Sequence, residues 1–194
     1  MAAAGDGPGD SPRKRELLEA AYNYALANGL ADYSLRPLAR AIGSSPRVLL
    51  FLFGSKDGLT RALLARARQD ELAALTTLRA SQQDWGLGAT GREVWAWLVA
   101  PSHRALLSLW LEGYARSLLG ESGPWERFAS ETVEDWLNLL STRQPADWRR
   151  TGEGEAERSL LLAVLRGALL DVLATGDTER VTRAVERHLD SMTR

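Results

Sequence analysis

The spacing of apolar residues is the feature that most limits what this chain can fold into. Along its 194 residues, apolar side chains recur every three or four positions rather than every second position. This period is typical of amphipathic helices, whereas β-branched clusters bounded by turn residues, which indicate strands, are nearly absent. The sequence therefore predicts an all-α fold.

Capping residues predict where the helices begin and end. Ser11 followed by Pro12 predicts the start of a first helix that stops at Asn28-Gly29. In a second helix over 34–43, Pro37 has no amide hydrogen, so we expect the Ser34 hydroxyl to accept its capping hydrogen bond from Arg36. Further helices are predicted at 46–53, 56–78, 92–99, 103–119, 125–140, 155–174 and 178–192.

Charge is unevenly distributed, although the net charge is only -1. Residues 13–68 contain ten Lys or Arg against four Asp or Glu, and the residues after them contain 14 against 19. A basic amino-terminal segment joined to an acidic remainder predicts phosphate binding by one end of the molecule.

Composition excludes several classes of function. The chain has no cysteine, which removes disulfides, thiolate catalysis and cysteine-ligated metals. His103 and His188 are too few and too far apart for a metal site. No apolar run reaches the roughly 18 residues of a membrane span, and the first residues lack the pattern of a signal peptide. We therefore expect a cytoplasmic protein with no catalytic residues, metal or cofactor, and a disordered tail over 1–12.

The most informative stretch is 34–56, SLRPLARAIGSSPRVLLFLFGSK, which reads as helix, glycine turn, helix. Leu38, Ile42 and Leu49 fall where two crossed helices must touch. Ala39 is small where the second helix passes closely over it, and Gly43 permits the positive backbone angle that a short turn requires. This pattern predicts a helix-turn-helix.

Residues 13–59 resemble the DNA-binding head of the tetracycline-repressor (TetR) family. The segments RELLEAAYNYALANGL, SLRPLARAIG and SSPRVLLFLFGSKDGL match the family's first helix, second helix and Ser-Pro recognition helix in register. The resemblance implies a three-helix DNA-binding domain over 13–56 and a larger helical domain over 57–194 for ligand binding and dimerisation. It implies that the partners are double-stranded operator DNA, a second copy of the chain and a small-molecule effector.

The recognition helix departs from the family by being almost wholly apolar. Leu50 stands where many members carry a Tyr that reaches a phosphate. With Leu49 facing inward and 100° per residue, Arg47 and Phe51 fall at about 160° and 200°, facing the DNA groove. Arg47 would then bind a guanine or a phosphate, and Phe51 would contact thymine methyl groups, with Leu50 on the flank.

Other residues of the head are predicted to position the DNA backbone. Ser34 and Ser45 cap helices whose amino ends attract phosphate, and Arg36, Lys56 and the run 13–15 supply cations.

Aromatic residues and the last two helices suggest the roles of the remainder. All seven Trp lie between 85 and 148, and such rings line cavities for flat or apolar ligands as readily as they fill a core. The candidate ligand-binding residues are Trp95, Trp110, Tyr114, Phe128 and Trp136. Wide apolar stripes on the last two helices, which the family resemblance implies pair across a twofold axis, give as candidate dimer-interface residues Leu161, Leu165, Leu169, Val181, Val185 and Leu189.

Two functions from different classes remain open on the sequence. The favoured one is a repressor that leaves its operator when a ligand binds. The other is a helical homodimer that binds a small molecule without sequence-specific DNA binding, in which the apolar recognition helix packs on something else. An enzyme ranks third, because no nucleophile-base pair, metal cluster or phosphate loop supports catalysis.

Overall fold

A computed structural model describes residues 11–30, 33–80 and 86–192. Within these ranges the chain forms α-helices and two single-turn 3-10 segments, with no strand. The predicted all-α fold is confirmed. The helices are α1 (Pro12–Asn28), α2 (Leu35–Ala41), α3 (Pro46–Phe53), α4 (Lys56–Ala80), α5 (Gly86–Val99), α6 (Arg104–Leu118), α7 (Phe128–Ser141), α8 (Gly152–Thr175) and α9 (Thr178–Ser191).

The first helix begins and ends where its capping residues predict. The Ser11 hydroxyl accepts a hydrogen bond from the Lys14 amide at 3.2 Å, and Pro12 occupies the first helical position. Gly29 has φ +78° and donates its amide hydrogen to the Ala25 carbonyl. Of the tail predicted over 1–12, residues 1–10 lie outside the described residues, and Pro12 already belongs to α1.

Three helices of the remainder, α5, α7 and α8, begin three or more residues from their predicted starts; α8 begins at Gly152 rather than at 155. Helix α5 begins at Gly86 rather than at 92, and Gly88 and Gly91 are buried helical residues. Helix α7 begins at Phe128 rather than at 125, because Arg127 has φ 67° and this left-handed conformation interrupts a helix. No helix in the described ranges combines the length and apolar content needed to cross a bilayer.

The chain divides into two compact units. The first unit contains the described residues up to Asp70 together with Ser108–Ala129, and so includes α1–α3. Its core is formed by apolar side chains that are at most 1% exposed, from Leu17, Ala21, Leu38, Leu49, Leu59 and Leu63. The three-helix head expected over 13–56 thus shares a unit with part of α4 and most of α6.

The second unit contains Glu71–Leu107 and the described residues from Ser130 onward. In it α5, α8 and α9 pack against one another. Gly91 lets α5 and α9 approach closely, because a Cβ atom there would lie 2.5 Å from Leu189 Cδ2. The Trp95 indole donates to the Thr182 hydroxyl at 3.0 Å, and Arg92 forms ion pairs with Glu186 and Asp190. These contacts fix α9 on α5.

Candidate nucleic-acid interface

The turn between α2 and α3 has the geometry of a helix-turn-helix. Gly43 has φ +64°, the positive angle predicted from the sequence. The Ser45 hydroxyl accepts a hydrogen bond from the Val48 amide at 3.3 Å and caps α3. Ala39 is fully buried and Leu49 is 1% exposed, so these two positions fix how α3 packs on the head.

The outer face of α3 is the face predicted from the 100° spacing. Arg47 is exposed, Phe51 is 78% exposed, and the flanking Val48 and Leu50 are 39% and 41% exposed. Leu52 and Phe53 are only partly exposed, as expected for residues nearer to Leu49 on the helix surface. The structure therefore presents one guanidinium and three apolar side chains on the same exposed surface.

The predicted hydrogen bond at the start of α2 is wrong. Ser34 has the extended backbone of a capping residue, but its side chain makes no capping hydrogen bond. The Leu38 amide bonds instead to the Ser34 carbonyl at 3.4 Å. The Ser34 hydroxyl and the Arg36 side chain are exposed, so both are accessible to a phosphate.

Lys56 lies at the start of α4 and is held by an aromatic ring. Its ammonium lies 4.7 Å from the centroid of the Tyr33 ring, and the Tyr33 hydroxyl is 2.8 Å from Thr60 Oγ1 and 3.2 Å from the Lys56 carbonyl. Burial raises the pKa of Tyr33 above its usual value. The ring attracts the cation and limits where it can lie. Tyr33 is a positioning residue that the sequence analysis missed, because no sequence spacing relates it to Lys56.

A cation from the amino-terminal run 13–15 lies beside α3. The Lys14 ammonium is 5.5 Å from the centroid of the Phe53 ring, near the end of the recognition helix. Arg47 is exposed on α3 itself, and Arg36 and Lys56 are exposed on α2 and at the start of α4. This distribution favours a polyanion as the ligand of the head.

A polar network joins α1 to α4. Arg66 donates to Glu19 at 2.6 Å and to Asp70, and its guanidinium lies 4.8 Å from the centroid of the Tyr22 ring. The Tyr22 hydroxyl donates to Asp70 at 2.9 Å. Burial, followed by this hydrogen bond, raises the pKa of Tyr22, and the hydrogen bond from Arg66 to Glu19 raises the pKa of Arg66. The network orders α1 against the helix that follows the head.

The five candidate ligand-binding residues are divided between the two units. Trp110, Tyr114 and Phe128 belong to the first unit, where the rings of Trp110 and Tyr114 stack with centroids 4.8 Å apart. Trp95 and Trp136 belong to the second unit and donate from their indole nitrogens to Thr182 and Glu71. Trp95, Trp110, Phe128 and Trp136 are at most 7% exposed. Their role in ligand binding stays a prediction.

One cleft lies within the second unit, between α7 and α8. Its volume is about 390 Å³ and none of the five candidate aromatic residues lines it. Its walls carry both charges and amides, from Glu134, Leu137, Asn138, Ser141, Glu155 and Arg158.

The six candidate dimer-interface residues lie inside the second unit. All are at most 3% exposed in the single chain: Leu161, Leu165, Leu169, Val181, Val185 and Leu189. Gly91 on α5 accommodates Leu189 and Leu161, whose methyl groups would lie 2.5 and 3.2 Å from a Cβ atom at that position. This burial corrects their placement: the apolar stripe of α8 and α9 is filled by the chain's own α5, so these six residues form core.

The opposite face of α8 carries a second apolar stripe, which is exposed. Its members are spaced alternately by four and three residues: Ala156, Leu160, Ala163, Gly167, Leu170 and Ala174. We call this set the outer stripe of α8. Leu160 and Leu170 are 56% and 46% exposed, and a Cβ atom at Gly167 would meet nothing within 4 Å. Spacing by four and three is the seam along which two helices pack.

Comparison with known proteins relates the chain to transcriptional regulators. Over 190 residues it is 27% identical to the HTH-type transcriptional regulator BetI of Rhizobium meliloti (strain 1021), an alignment that covers 93% of this chain and 75% of that protein. No protein-family model matches the chain.

Solved structures match the fold over more than nine tenths of the chain. The multidrug binding protein EbrR complexed with imidazole superposes with a TM-score of 0.66 at 25% identity, over 94% of this chain and 92% of that one. A TetR transcription regulator from Haloarcula marismortui ATCC 43049 superposes with a TM-score of 0.72 at 18% identity, over 94% and 96% of the two chains. EbrR has also been solved with proflavin and with malachite green.

Proposed function

We propose that this chain is a transcriptional regulator of the TetR family, a homodimeric repressor that binds operator DNA through α3 and is released by a small apolar or aromatic ligand. The observation that carries the proposal is the exposure of Arg47 and Phe51 on the outer face of α3, opposite the buried Leu49. A helix anchored on one face and exposed on the other can enter a major groove.

The residues around α3 divide by role. Arg47 would provide the main polar contact to a base, because it is the one outward-facing residue of α3 after the Ser45 cap with hydrogen-bond donors. Arg36 and Lys56 would neutralise phosphates of the DNA, and Ser34 and Ser45 would lie next to the sugar-phosphate backbone. Tyr33 would hold the Lys56 ammonium in place for that contact.

For dimerisation we propose the outer stripe of α8. The side chains that the sequence suggested are core, whereas the outer stripe is apolar, exposed and spaced as a helix-packing seam. Gly167 lowers helix propensity by about 1 kcal/mol relative to Ala, and a Cβ atom there would meet no atom of the described residues within 4 Å. A glycine there would let the backbone of a second copy's helix approach closely.

For the ligand we propose a flat apolar or aromatic molecule. Support comes from the buried aromatic side chains of both units and from EbrR, which was solved with imidazole, proflavin and malachite green. A ligand that binds more tightly to a conformation in which the two heads no longer match successive major grooves would release the operator.

The second candidate function is a homodimeric small-molecule-binding protein without sequence-specific DNA binding. The observation that favours it is the apolar outer face of α3, where Val48, Leu50 and Phe51 offer no hydrogen bond to a base. In that case the same surface would pack on another protein.

Selection of DNA by the purified full-length protein tests the proposal. A randomised duplex library is bound, washed at increasing salt and sequenced. Malachite green, which is not a planar intercalator, is then added to complexes re-formed with the selected duplex. We expect one sequence with twofold symmetry to be enriched and malachite green to release it. Binding without enrichment of any sequence would contradict the repressor function and favour the second candidate.

A further inference from the structure

The exposed side chains of α3 other than Arg47 have one chemical property in common. Val48, Leu50 and Phe51 are 39%, 41% and 78% exposed, and no side chain from Val48 to Phe53 can donate or accept a hydrogen bond. We call the three exposed residues the apolar strip of α3. Phe51 carries the largest exposed apolar surface of the three, on a helix that is otherwise anchored by Leu49 at 1% exposure.

We propose that the apolar strip of α3 recognises the C5-methyl group of pyrimidines in the major groove, so that thymine and 5-methylcytosine are equivalent ligands at the contacted positions. This inference rests on the proposed function and names the chemical group that the recognition helix reads. In the major groove thymine presents the O4 acceptor and a C5-methyl group, whereas cytosine presents the N4 amino donor and no methyl group. An apolar side chain cannot bond to O4 or N4, so the methyl group is the feature that it can detect.

Helix geometry relates the position of the methyl group to the base that Arg47 would bind. Arg47 and Phe51 are four residues apart on one helix face, a separation of about 6 Å along the axis. Base pairs are spaced by about 3.4 Å. Phe51 would therefore contact a pyrimidine about two steps from the base pair that Arg47 contacts, with Val48 and Leu50 on either side of the same face.

Charge identifies DNA, rather than a protein surface, as the occupant of the strip. Arg36, Arg47 and Lys56 are exposed on α2, on α3 and at the start of α4, and Lys14 lies 5.5 Å from the Phe53 ring of α3. The segment 13–68 holds ten basic residues against four acidic ones. An apolar strip in so basic a segment is complementary to base methyl groups flanked by phosphates.

The test uses the duplex selected by the full-length protein, resynthesised with one base changed at a time. Each thymine is replaced in turn by deoxyuridine, which lacks only the methyl group, and each contacted position is also remade with cytosine or 5-methylcytosine. Affinities are measured by fluorescence anisotropy. We expect deoxyuridine to weaken binding about fourfold at one or two positions per half-site, the factor for one buried carbon. We expect 5-methylcytosine to bind about fourfold more tightly than cytosine there.

A double-mutant comparison assigns the effect to the strip. In Phe51→Ala, thymine and deoxyuridine should bind equally at the position that Phe51 contacts. The matched control is Leu119→Ala, which removes a side chain that is also 78% exposed but lies outside α3, and it should retain the fourfold difference.

The outcomes separate this inference from the proposed function. If no sequence is selected, the proposed function fails and the inference fails with it. If a sequence is bound specifically and deoxyuridine is tolerated at every thymine, the inference is overturned while the function stands. If deoxyuridine lowers the affinity of Phe51→Ala, Val48→Ala and Leu50→Ala for the duplex as much as it lowers that of the unaltered protein, the methyl group acts through DNA shape. This result also overturns the inference.

Discussion

Glu112 on α6 accepts a hydrogen bond from the backbone amide of Leu30, two residues after α1 ends, with Oε2 2.8 Å from the nitrogen. Leu30 is 3% exposed. The same carboxylate lies beside Gly29, because a Cβ atom built on Gly29 would be 3.3 Å from Glu112 Oε2. The backbone amide that follows α1 therefore has its hydrogen-bond acceptor, Glu112, 82 positions later in the chain. Any movement of this part of α6 has to break or carry this bond.

Replacing Glu112 with Ala should leave the Leu30 amide without its acceptor. We expect the free energy of unfolding to fall by about 1 to 3 kcal/mol, as measured by urea denaturation. Glu112→Gln keeps an acceptor oxygen and should lose less. Hydrogen exchange of the Leu30 amide gives a local readout, and equal protection in the unaltered protein and in Glu112→Ala would show that the bond contributes nothing.

The tyrosine that joins α1 to α4 predicts a loss of stability at high pH. The pKa of Tyr22 is raised by burial and by its hydrogen bond to Asp70, so the folded protein keeps this proton when the unfolded chain loses it. Stability should therefore be complete below the unfolded pKa of about 10 and fall as pH rises above it. Tyr22→Phe should flatten this decline, and Tyr33, whose pKa is also raised, should account for part of what remains. Urea unfolding at a series of alkaline pH values measures it, and an unchanged slope in Tyr22→Phe would contradict the assignment.

Gly91 is predicted not to tolerate a side chain. A methyl group there would lie 2.5 Å from Leu189 Cδ2 and 3.2 Å from Leu161 Cδ1, so Gly91→Ala should destabilise the second unit by about 1 to 3 kcal/mol. Gly152→Ala is the matched control, because a Cβ atom at Gly152 meets nothing within 4 Å. Thermal unfolding of the two variants should differ in sign or size; equal midpoints would mean that α5 and α9 are less closely packed.

The outer stripe of α8 predicts which substitutions separate two copies without unfolding either. Leu160→Glu with Leu170→Glu should give folded monomers, since both side chains are exposed in the single chain. Leu165→Glu should instead unfold the second unit, because Leu165 is 1% exposed. Sedimentation equilibrium and circular dichroism together distinguish the two results. Dimers of unchanged affinity in the first variant would show that the outer stripe is not the interface.

Sequence reasoning located most of the head and misplaced the partners of the last two helices. Ser11-Pro12, Ser45-Pro46 and Gly43 act locally, through caps and a backbone angle, so the bounds of α1 and α3 and the exposed face of α3 follow from a few neighbouring residues. The stripe on α8 and α9 shows only that an apolar face is buried. The stripe does not show whether the buried face packs on α5 of the same chain or on a second copy. Leu165 and Leu189 are therefore predicted at a dimer interface although they lie in the core of the second unit.

Contacts between residues distant in sequence could not be predicted either. Tyr33 reaches Lys56, and Glu112 reaches Leu30, through the packing of whole helices. The helix predicted at 92–99 leaves out Gly91, because glycine usually weakens helices and only the close approach of Leu189 shows why a glycine is needed there. The concentration of Trp between 85 and 148 gave no direction to any ring, and the structure divides the five candidate aromatic residues between two units.

The central claim is that α3 reads bases while the surrounding cations bind phosphates, and the salt dependence of binding in three variants tests it most directly. Affinity for the selected duplex and for a scrambled duplex is measured over a range of salt concentrations. Arg47→Ala should reduce the preference for the selected duplex by about 1 to 3 kcal/mol. Lys56→Ala should weaken binding to both duplexes alike and lower the salt slope by about one unit, whereas Arg104→Ala, outside the head, should do neither. Full preference for the selected duplex in Arg47→Ala, with the slope of Lys56→Ala unchanged, would contradict the claim.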